Sequence, residues 1–408
     1  MLALLLACEG SSSIPNDTDA PVGHDTGAPD DSGLPGDSSD TGDTGGEDTG
    51  REKPDCGDIV ADDVGYAALF DTSVLHELTL TLSAAEVTEL GAEPTKWAEA
   101  AATIDGVPLS SIGVKWRGDS AQMRWDGKPS WTLGLRDQYA CDTVAGLDRL
   151  ELDAMGDDPA QVRAVLESQV MEGLGRVQPH VVFAMLTVND EPFGLYALVE
   201  AVDVNFVTHR YGAGGASLWS ADAGADFTTA GLDAWNDETG SGDPEVLQAV
   251  ADVVAGSGST FYADLGAVLD VGDFAHHWAA LAAVGDLGAW PYETDDVDLV
   301  LAPGGALQFV ADKPSSGWNP EYAWNRVDSA LGVRCSYDTA CAAAVGGALS
   351  NTAADLDDLD VPSILAGDFA LTDAAVADDP RRPAKVSTVN AARDALVDTV
   401  AAWPDELR

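Results

Sequence analysis

Cations are scarce in this sequence. Its 408 residues include 20 lysines and arginines against 70 aspartates and glutamates, so the formal net charge is -50. A surface of that sign repels phosphate backbones, which argues strongly against nucleic-acid binding. Solubility, or a habitat rich in salt or calcium, explains such acidity more simply than a specific cationic partner does.

Long apolar runs are also missing, because no stretch of the chain is long and apolar enough to span a membrane. Residues 1–7 form a short apolar run that no lysine or arginine precedes, and Leu-Leu-Ala-Cys at residues 5–8 resembles a bacterial lipobox. We therefore expect residues 1–8 to be a lipoprotein signal segment. Cys8 would carry a lipid that anchors the exported protein to the outer membrane or cell surface. A plain apolar N-terminus is the alternative.

Residues 9–55 contain almost no aromatic or branched apolar side chains and consist mainly of Asp, Thr, Gly, Ser and Pro. Such a segment buries too little apolar surface to offset its ordering entropy, so we expect a disordered acidic tether. The triplet Asp-Thr-Gly, which begins at Asp25, Asp40, Asp43 and Asp48, resembles the aspartic-protease motif. Here it recurs in a linker without the apolar flanks of a strand, so we reject a protease.

Cysteines number only five, and setting Cys8 aside leaves an even number, as expected for disulfides in an exported protein. Cys335 and Cys341 flank a short loop, which predicts a local disulfide. Cys56 and Cys141 would then pair and tie the start of the domain to its sheet. A zinc site is the weaker alternative, because no Cys-x-x-Cys and no histidine at ligand spacing accompanies these cysteines.

The folded part is predicted to begin near Cys56, and a chain of 408 residues can hold one large or two ordinary domains. Apolar periodicity predicts strands first and helices later. Residues 75–82 alternate as in a strand, and Ser83 followed by Glu86 predicts a helix that begins with a capping box. Asp105-Gly106 predicts a hairpin turn. A helical period recurs later in the chain, at residues 244–255, 271–284, 342–356, 366–377 and 386–403.

Two apolar runs, at residues 181–188 and 193–200, flank a short run of turn formers and predict a second β-hairpin. Its sequence from Asn189 to Asp203 has the form Asn-x-x-x-x-Gly-Leu-Tyr-x-x-x-Glu-x-x-Asp, which resembles the central signature of the CotH family. These are secreted or spore-coat proteins. The resemblance implies one domain of the α+β class at residues 56–408, with a two-lobed, atypical protein-kinase-like fold that has a β-rich N-terminal lobe and a helical C-terminal lobe.

A second group of residues matches the CotH turn that precedes a strand lysine. The resemblance implies that these residues bind the nucleotide, with Glu200 at the end of the hairpin behind the cleft. The predicted cofactor-binding residues are Arg117, Gly118, Ser120, Lys128 and Glu200. Backbone N–H groups and one cation would bind the phosphates. A hairpin with basic surface residues is the plain alternative, although a local excess of cations favours an anion site in so acidic a chain.

The next helix also matches the family pattern, through Asp158 and Arg163. Asp158 would cap this helix, with Pro159 at its first position. Glu167 on the same helix is a candidate ion-pair partner for Lys128, as in kinases generally.

The acidic motifs depart from the family pattern. Aligned without gaps, Gly288 stands where CotH kinases have their catalytic aspartate, so Asp286 is the candidate catalytic residue only if the loop shifts. Asp295 and Asp296 replace an Asn-Asn pair. Asp312 keeps the first aspartate of an Asp-x-Asp motif, and Pro314 stands in place of the second aspartate. The resemblance implies that these three aspartates bind metal. A solvated acidic loop is the alternative.

Two functions therefore remain open at the level of the sequence. The first is an exported CotH-type kinase that uses ATP with Mg²⁺ or Mn²⁺ to phosphorylate a surface or coat protein. The second is a non-catalytic pseudokinase, a surface lipoprotein with a binding or structural role. Loss of one metal ligand, and of the base, lowers the rate of phosphoryl transfer by orders of magnitude.

Overall fold

The structure is a computed structural model, and the part of the chain that it describes lies between residues 56 and 406. The described residues are 56, 59–118, 122–136, 138–212, 214–256, 258–286, 288–294, 297–305, 307–311, 317–318 and 326–406. The predictions for residues 1–8 and 9–55, and those for Ser120, Asp295, Asp296 and Asp312, fall outside these residues.

The first part of the fold is a closed barrel of seven strands. The strands are β1 (His76–Leu82), β2 (Ala98–Ile104), β3 (Val107–Arg117), β4 (Ser130–Gly134), β5 (Arg149–Asp153), β6 (Val181–Val188) and β7 (Glu191–Glu200). Their order around the barrel is β1-β2-β3-β4-β5-β7-β6. The barrel closes where β6 runs parallel to β1, with Leu186 opposite Leu78. Helix α1 (Asp63–Leu69) precedes these strands, α2 (Ala84–Ala92) lies between β1 and β2, and α3 (Arg163–Gly173) lies between β5 and β6.

Helices dominate the second part of the fold. They are α4 (Val204–Tyr211), α5 (Pro244–Ala255), α6 (Phe261–Leu265), α7 (Val271–Val284), α8 (Ala330–Tyr337), α9 (Thr339–Leu359), α10 (Val361–Asp378) and α11 (Val386–Glu406), with a 3-10 helix at Gly231–Ala234. A four-stranded sheet with the order β11-β10-β8-β9 lies among them. Its strands are β8 (Ser217–Ala221), β9 (Trp235–Asp237), β10 (Val297–Leu301) and β11 (Leu307–Ala311). The predicted α+β class is confirmed.

Helix capping agrees with the sequence at α2 and differs at α3. Ser83 accepts the Glu86 N–H at 3.2 Å as predicted, but the Glu86 carboxylate accepts the Glu99 N–H at 2.9 Å, away from the helix start. Helix α3 begins at Arg163, four residues later than predicted. The reason is that the buried Asp158 carboxylate binds backbone N–H groups on both sides of this start, those of Ala160, Val162 and Arg163.

The predicted hairpin is present as β6 and β7, but its turn is shorter than predicted, because β7 begins at Glu191 instead of at Phe193. Asn189 and Asp190 have φ angles of 49° and 65°, as both central residues of a type I′ turn require. The side-chain Oδ1 of Asn189 also accepts the Leu82 N–H at 2.8 Å, which joins the turn to the end of β1. After β7, Asp203 caps α4 by accepting the N–H groups of Asn205 and Phe206.

Helix α7 forms the centre of the second part of the fold. Most of its residues are buried, and it packs against α3 and α9. The Trp403 indole N–H of α11 donates to its Ala282 carbonyl at 3.3 Å. None of the helices in the described ranges is apolar and long enough to cross a bilayer.

Both predicted disulfides are present. Cys56 and Cys141 join the start of the domain to the segment between β4 and β5, with a Cα–Cα distance of 5.5 Å. Cys335 and Cys341 join α8 to α9, with a Cα–Cα distance of 5.1 Å. Bridges of this kind are typical of exported proteins.

Candidate functional site

Glu200 lies at the centre of a buried network at the end of β7. The guanidinium of Arg210, on α4, donates to both carboxylate oxygens, at 2.9 Å to Oε1 and 2.8 Å to Oε2. The Tyr66 hydroxyl donates to Oε1 at 2.6 Å, and His180 Nδ1 lies 3.0 Å from Oε2. Only 1 % of Glu200 is exposed. Protein groups therefore occupy both of its oxygens.

The charges in this network stabilise each other. Burial raises the pKa of Glu200, but Arg210 and the His180 hydrogen bond outweigh it and hold the pKa at about 2. Burial and the nearby Glu200 carboxylate raise the pKa of Tyr66, so Tyr66 remains a hydrogen-bond donor. The network attaches α1 and α4 to the barrel. A role for Glu200 in cofactor binding stays a prediction, and a nucleotide would have to displace one of these partners.

Lys128 also binds a partner within the protein. Its Nζ lies 2.7 Å from Asp379 Oδ2 and 2.6 Å from the Leu195 carbonyl oxygen, and it faces the Tyr196 ring at 5.0 Å from the ring centroid. Burial lowers the pKa of Lys128, and the Asp379 carboxylate opposes that shift. The predicted ion pair between Lys128 and Glu167 is wrong. The carboxylate comes from the connection between α10 and α11 instead of from α3.

Gly194 lets the Asp379 carboxylate reach Lys128. Asp379 Oδ2 accepts the Leu195 N–H at 3.1 Å, so the carboxylate lies directly against the β7 backbone. A Cβ on Gly194 would overlap this carboxylate, and the residue has a φ of +100°. Both features require glycine. The glycine of the Gly-Leu-Tyr signature, Gly194, thus allows a close contact between β7 of the barrel and the connection between α10 and α11.

Arg381 holds the same connection in place. Its backbone N–H donates to Asp379 Oδ1 at 2.7 Å, and its guanidinium lies 3.6 Å from the Phe193 ring centroid. The guanidinium also donates to the carbonyl oxygens of Trp125 and Gly127. Residues 379–381 are therefore bound to the segment that carries Lys128 and to β7, which limits the movement of this segment.

Arg117 and Gly118 lie at the end of β3. Arg117 Nη1 is 2.8 Å from Glu151 Oε2 on β5, so its charge is already paired across the barrel surface. Gly118 has a φ of +92° and open space around its Cβ position, as expected for a turn. Arg117 pairs in register with Ser130, which places this turn beside the start of β4 and Lys128. Phosphate binding by Arg117 and Gly118 stays a prediction.

Asp286 follows α7 and is 2 % exposed. Its Oδ1 accepts the Gly288 N–H at 3.0 Å, and its carboxyl group lies close to that of Glu167 on α3. Burial and the nearby Asp286 raise the pKa of Glu167 well above its usual range. The loop therefore turns Asp286 inward, toward α3. A catalytic role for Asp286 stays a prediction.

The predicted residues form three clusters, centred on Glu200, on Lys128 and on Asp286. Glu200 is five residues along β7 from Leu195, whose carbonyl binds Lys128. At about 3.3 Å per residue, roughly 16 Å of strand separates them. Within the described ranges, no residue forms hydrogen bonds in more than one cluster. The sequence did not identify Arg210 or Asp379 as partners, because these residues are distant in sequence and carry no motif.

Residues 114–287, less than half of the chain, match the family model "CotH kinase protein". This segment is CotH-like. A 117-residue stretch is 30 % identical to "Inner spore coat protein H" of Bacillus subtilis (strain 168) and covers 29 % of this chain and 31 % of that protein. The match thus spans about a third of that relative.

A solved structure, "Crystal structure of A Helicobacter pylori proinflammatory kinase CtkA", is also similar, with a TM-score of 0.32 and 8 % identity. That similarity covers 76 % of this chain and 89 % of the other. It is too distant to carry an argument about the site. The CotH-like segment contains β4 to β9, Lys128, Glu200 and Asp286, whereas Asp379 lies beyond it.

Proposed function

We propose that this chain is an exported CotH-type protein kinase with a β-rich and a helical lobe. It would transfer a phosphoryl group from ATP to a hydroxyl group of a surface or coat protein. One observation carries the proposal: the segment that matches the CotH kinase model contains Lys128, Glu200 and Asp286 in one continuous fold. The spore-coat name of the Bacillus relative supports a surface location.

Asp286 would be the base in this reaction. Its carboxylate would orient the acceptor hydroxyl and take its proton while the new bond to the terminal phosphorus forms. The bond from that phosphorus to the bridging oxygen breaks at the same time, and ADP leaves. A bound Mg²⁺ or Mn²⁺ would neutralise charge on the phosphates.

The described residues alone do not form a complete site for a nucleotide and a metal ion. Lys128 is already paired with Asp379. No group of three or more histidine, cysteine or acidic side chains able to hold a metal occurs in the described ranges, and Asp295, Asp296 and Asp312 lie outside them. We therefore assign the metal no geometry. Phosphate binding through Lys128 requires that the Asp379 carboxylate be displaced.

The second candidate is a non-catalytic surface protein that keeps the fold for binding or structure. The ion pair between Lys128 and Asp379 favours it, because a buried carboxylate occupies the charge that would bind phosphate. In this function the pair stabilises the contact between the barrel and the C-terminal helices.

Thermal unfolding with nucleotide distinguishes the two functions. We expect ATP with Mg²⁺ or Mn²⁺, each at millimolar concentration, to raise the melting temperature of the wild-type protein. Asp312→Asn should abolish the increase, and the matched control Asp398→Asn, at an exposed position on α11, should keep it. No increase for the wild type would refute the kinase and support the non-catalytic protein. Transfer of labelled phosphate from ATP to a protein would exclude the non-catalytic function.

Export through Cys8 is the remaining part of the proposal. The two disulfides support an oxidising compartment. We expect the full-length protein to fractionate with membranes and to incorporate labelled fatty acid. Cys8→Ser should release it into the soluble fraction, whereas Ser11→Ala should not. Membrane association that persists in Cys8→Ser without fatty acid would contradict the lipid anchor.

A further inference from the structure

The Asp379 carboxylate binds to a pair of donors that would equally suit a phosphate group. Its Oδ2 lies 2.7 Å from Lys128 Nζ, just before β4, and accepts the Leu195 N–H of β7 at 3.1 Å. An ammonium group together with a backbone N–H is a common arrangement for binding the phosphates of a nucleotide. The barrel therefore provides an anion site, and a carboxylate of the same chain occupies it.

The space for this anion is built into β7. A Cβ on Gly194 would overlap both carboxylate oxygens of Asp379, so the missing side chain leaves room for the anion. The side chain of Asp379 is 0 % exposed and that of Lys128 is 5 % exposed. The carboxylate fills this space, so Asp379 and the phosphate group of a ligand exclude each other.

Replacement of the carboxylate by a phosphate requires little change in the barrel. Lys128 Nζ also donates to the Leu195 carbonyl oxygen at 2.6 Å, and this bond does not involve the C-terminal helices. An ammonium group has three N–H donors, so one of them can exchange a carboxylate oxygen for a phosphate oxygen while the carbonyl bond remains. The charge of Lys128 is then paired in both states, which avoids the cost of an unpaired buried charge.

Arg381 fastens the carboxylate in this position. Its backbone N–H donates to Asp379 Oδ1 at 2.7 Å, and its guanidinium lies 3.6 Å from the Phe193 ring centroid. The guanidinium also donates to the carbonyl oxygens of Trp125 and Gly127. The side chain of Arg381 therefore holds residues 379–381 against the barrel without contributing to the anion site itself.

Residues 379–381 lie at the surface and outside the strand ladders. Pro380 is exposed and Arg381 is half-buried, whereas the Asp379 carboxylate between β7 and Lys128 is buried. The seven strands of the barrel pair with one another. Residues 379–381 can therefore leave the barrel without breaking a strand pair.

We propose that residues 379–381 are an autoinhibitory segment, in which the Asp379 carboxylate occupies the site of a nucleotide phosphate until the segment moves away. This inference rests on the proposed function, in which Lys128 binds ATP. The wild-type protein opens often enough to bind ATP at millimolar concentration. Its apparent affinity is reduced in proportion to the fraction of open molecules. A change that loosens the segment should therefore increase the affinity for ATP.

The variant Arg381→Ala tests this increase, because it removes the fastening and keeps the Asp379 carboxylate. Calorimetric titration with ATP and Mg²⁺ should give a Kd about tenfold or more below that of the wild type. The matched control is Asp378→Ala, at the exposed last residue of α10, which should keep the wild-type Kd. An unchanged or higher Kd in a folded Arg381→Ala protein would overturn the proposal.

The anion site can also be tested without a nucleotide. Asp379→Ala empties the space beside Gly194, so formate or inorganic phosphate at millimolar concentration should raise the melting temperature of this variant. Neither anion should raise it for the wild type or for Asp378→Ala. The double variant Lys128→Met with Asp379→Ala should lose the response, because it lacks the ammonium group. An effect of formate without one of phosphate would also overturn the proposal, because the site would then take carboxylates only.

Phosphate transfer separates this inference from the proposed function. Both are supported if Arg381→Ala binds ATP more tightly and transfers labelled phosphate to protein faster than the wild type. If Arg381→Ala binds ATP more tightly but neither protein transfers phosphate, only the kinase function fails. If both proteins bind ATP equally and transfer phosphate at the same rate, only the autoinhibition fails. If ATP binds to neither protein, both fail.

Discussion

The ammonium group of Lys128 lies 2.7 Å from the Asp379 carboxylate, which is 251 residues later in the chain. The exposed fractions of the two side chains are 5 % and 0 %. A buried charge without its partner keeps its full desolvation cost, whereas loss of both charges removes that cost. The pair therefore couples the folding of the barrel to that of the C-terminal helices.

A double-mutant cycle tests this coupling. We expect Lys128→Met alone, or Asp379→Asn alone, to reduce the free energy of unfolding by about 3–5 kcal/mol, and the double variant to lose much less than the sum. Urea denaturation measures all four proteins. The control is Lys96→Met, which breaks the exposed pair with Glu93 and should cost less than about 1 kcal/mol. Additive losses at Lys128 and Asp379 would show that the two side chains do not interact.

Gly194 provides a steric test of the same contact. Gly194→Ala should reduce stability by about 2–5 kcal/mol, because it combines an unfavourable φ with overlap against Asp379. Gly304→Ala is the matched control, since its φ is +104° but its Cβ position is open. That variant should lose only about 1–2 kcal/mol. Chemical denaturation gives both values, and equal losses would mean that the overlap with Asp379 is relieved at little cost.

The low pKa of Glu200 predicts that the stability of the fold depends on pH. The folded pKa of Glu200 is about 2, compared with 4.5 as its ordinary value. A depressed pKa stabilises the fold above about pH 4.5, and this contribution disappears as the pH falls toward 2. A difference of about 2.5 units corresponds to roughly 3 kcal/mol.

We therefore expect Glu200→Gln to unfold at a lower temperature than the wild type at pH 7 and at nearly the same temperature at pH 2. The control is Glu89→Gln, at an exposed position on α2, which should follow the wild-type curve. Thermal scans by circular dichroism between pH 2 and 7 are sufficient. A constant difference across that range would show that the stability of the network does not depend on the Glu200 charge.

The two disulfides should contribute unequally. Cys56 and Cys141 close a loop with a sequence separation of 85, whereas Cys335 and Cys341 close one of 6. On the chain-entropy model these loops correspond to about 4.6 and about 2.4 kcal/mol. Denaturant titration of the two double serine variants should therefore show the larger loss for the first pair. The reverse order would mean that side-chain packing around the buried Cys335 and Cys341 outweighs the entropy of the unfolded chain.

Local chemistry in the sequence was sufficient to predict several of the elements and some of their ends. Ser83 caps α2 because a hydroxyl group reaches an N–H three residues later, and the turn at Asn189-Asp190 follows from residues that tolerate positive φ. Helix α3 shows where this reasoning stops. The buried Asp158 carboxylate binds N–H groups up to five residues later in the chain and delays the helix, which neither capping statistics nor spacing indicates.

The partners of the site residues could not be predicted because they depend on tertiary packing. Lys128 was expected to bind Glu167, but α3 directs Glu167 toward Asp286, while Asp379 reaches Lys128 past a glycine. The sequence shows that many acidic residues follow Lys128, but it does not show which of them contacts Lys128 in the folded protein. The one available signal was Gly194, since a glycine inside a strand often marks a close backbone approach.

The barrel order has a consequence for where this protein can be divided. Strand β6 pairs with β7 on one side and with β1 on the other, and β1 and β2 precede the CotH-like segment. A fragment of residues 114–287 would leave the edge of β6 without a neighbour and the ammonium of Lys128 without its carboxylate. Unpaired strand edges promote association with other chains. A piece that keeps both contacts therefore extends beyond the segment that carries the family resemblance, at least from β1 to Asp379.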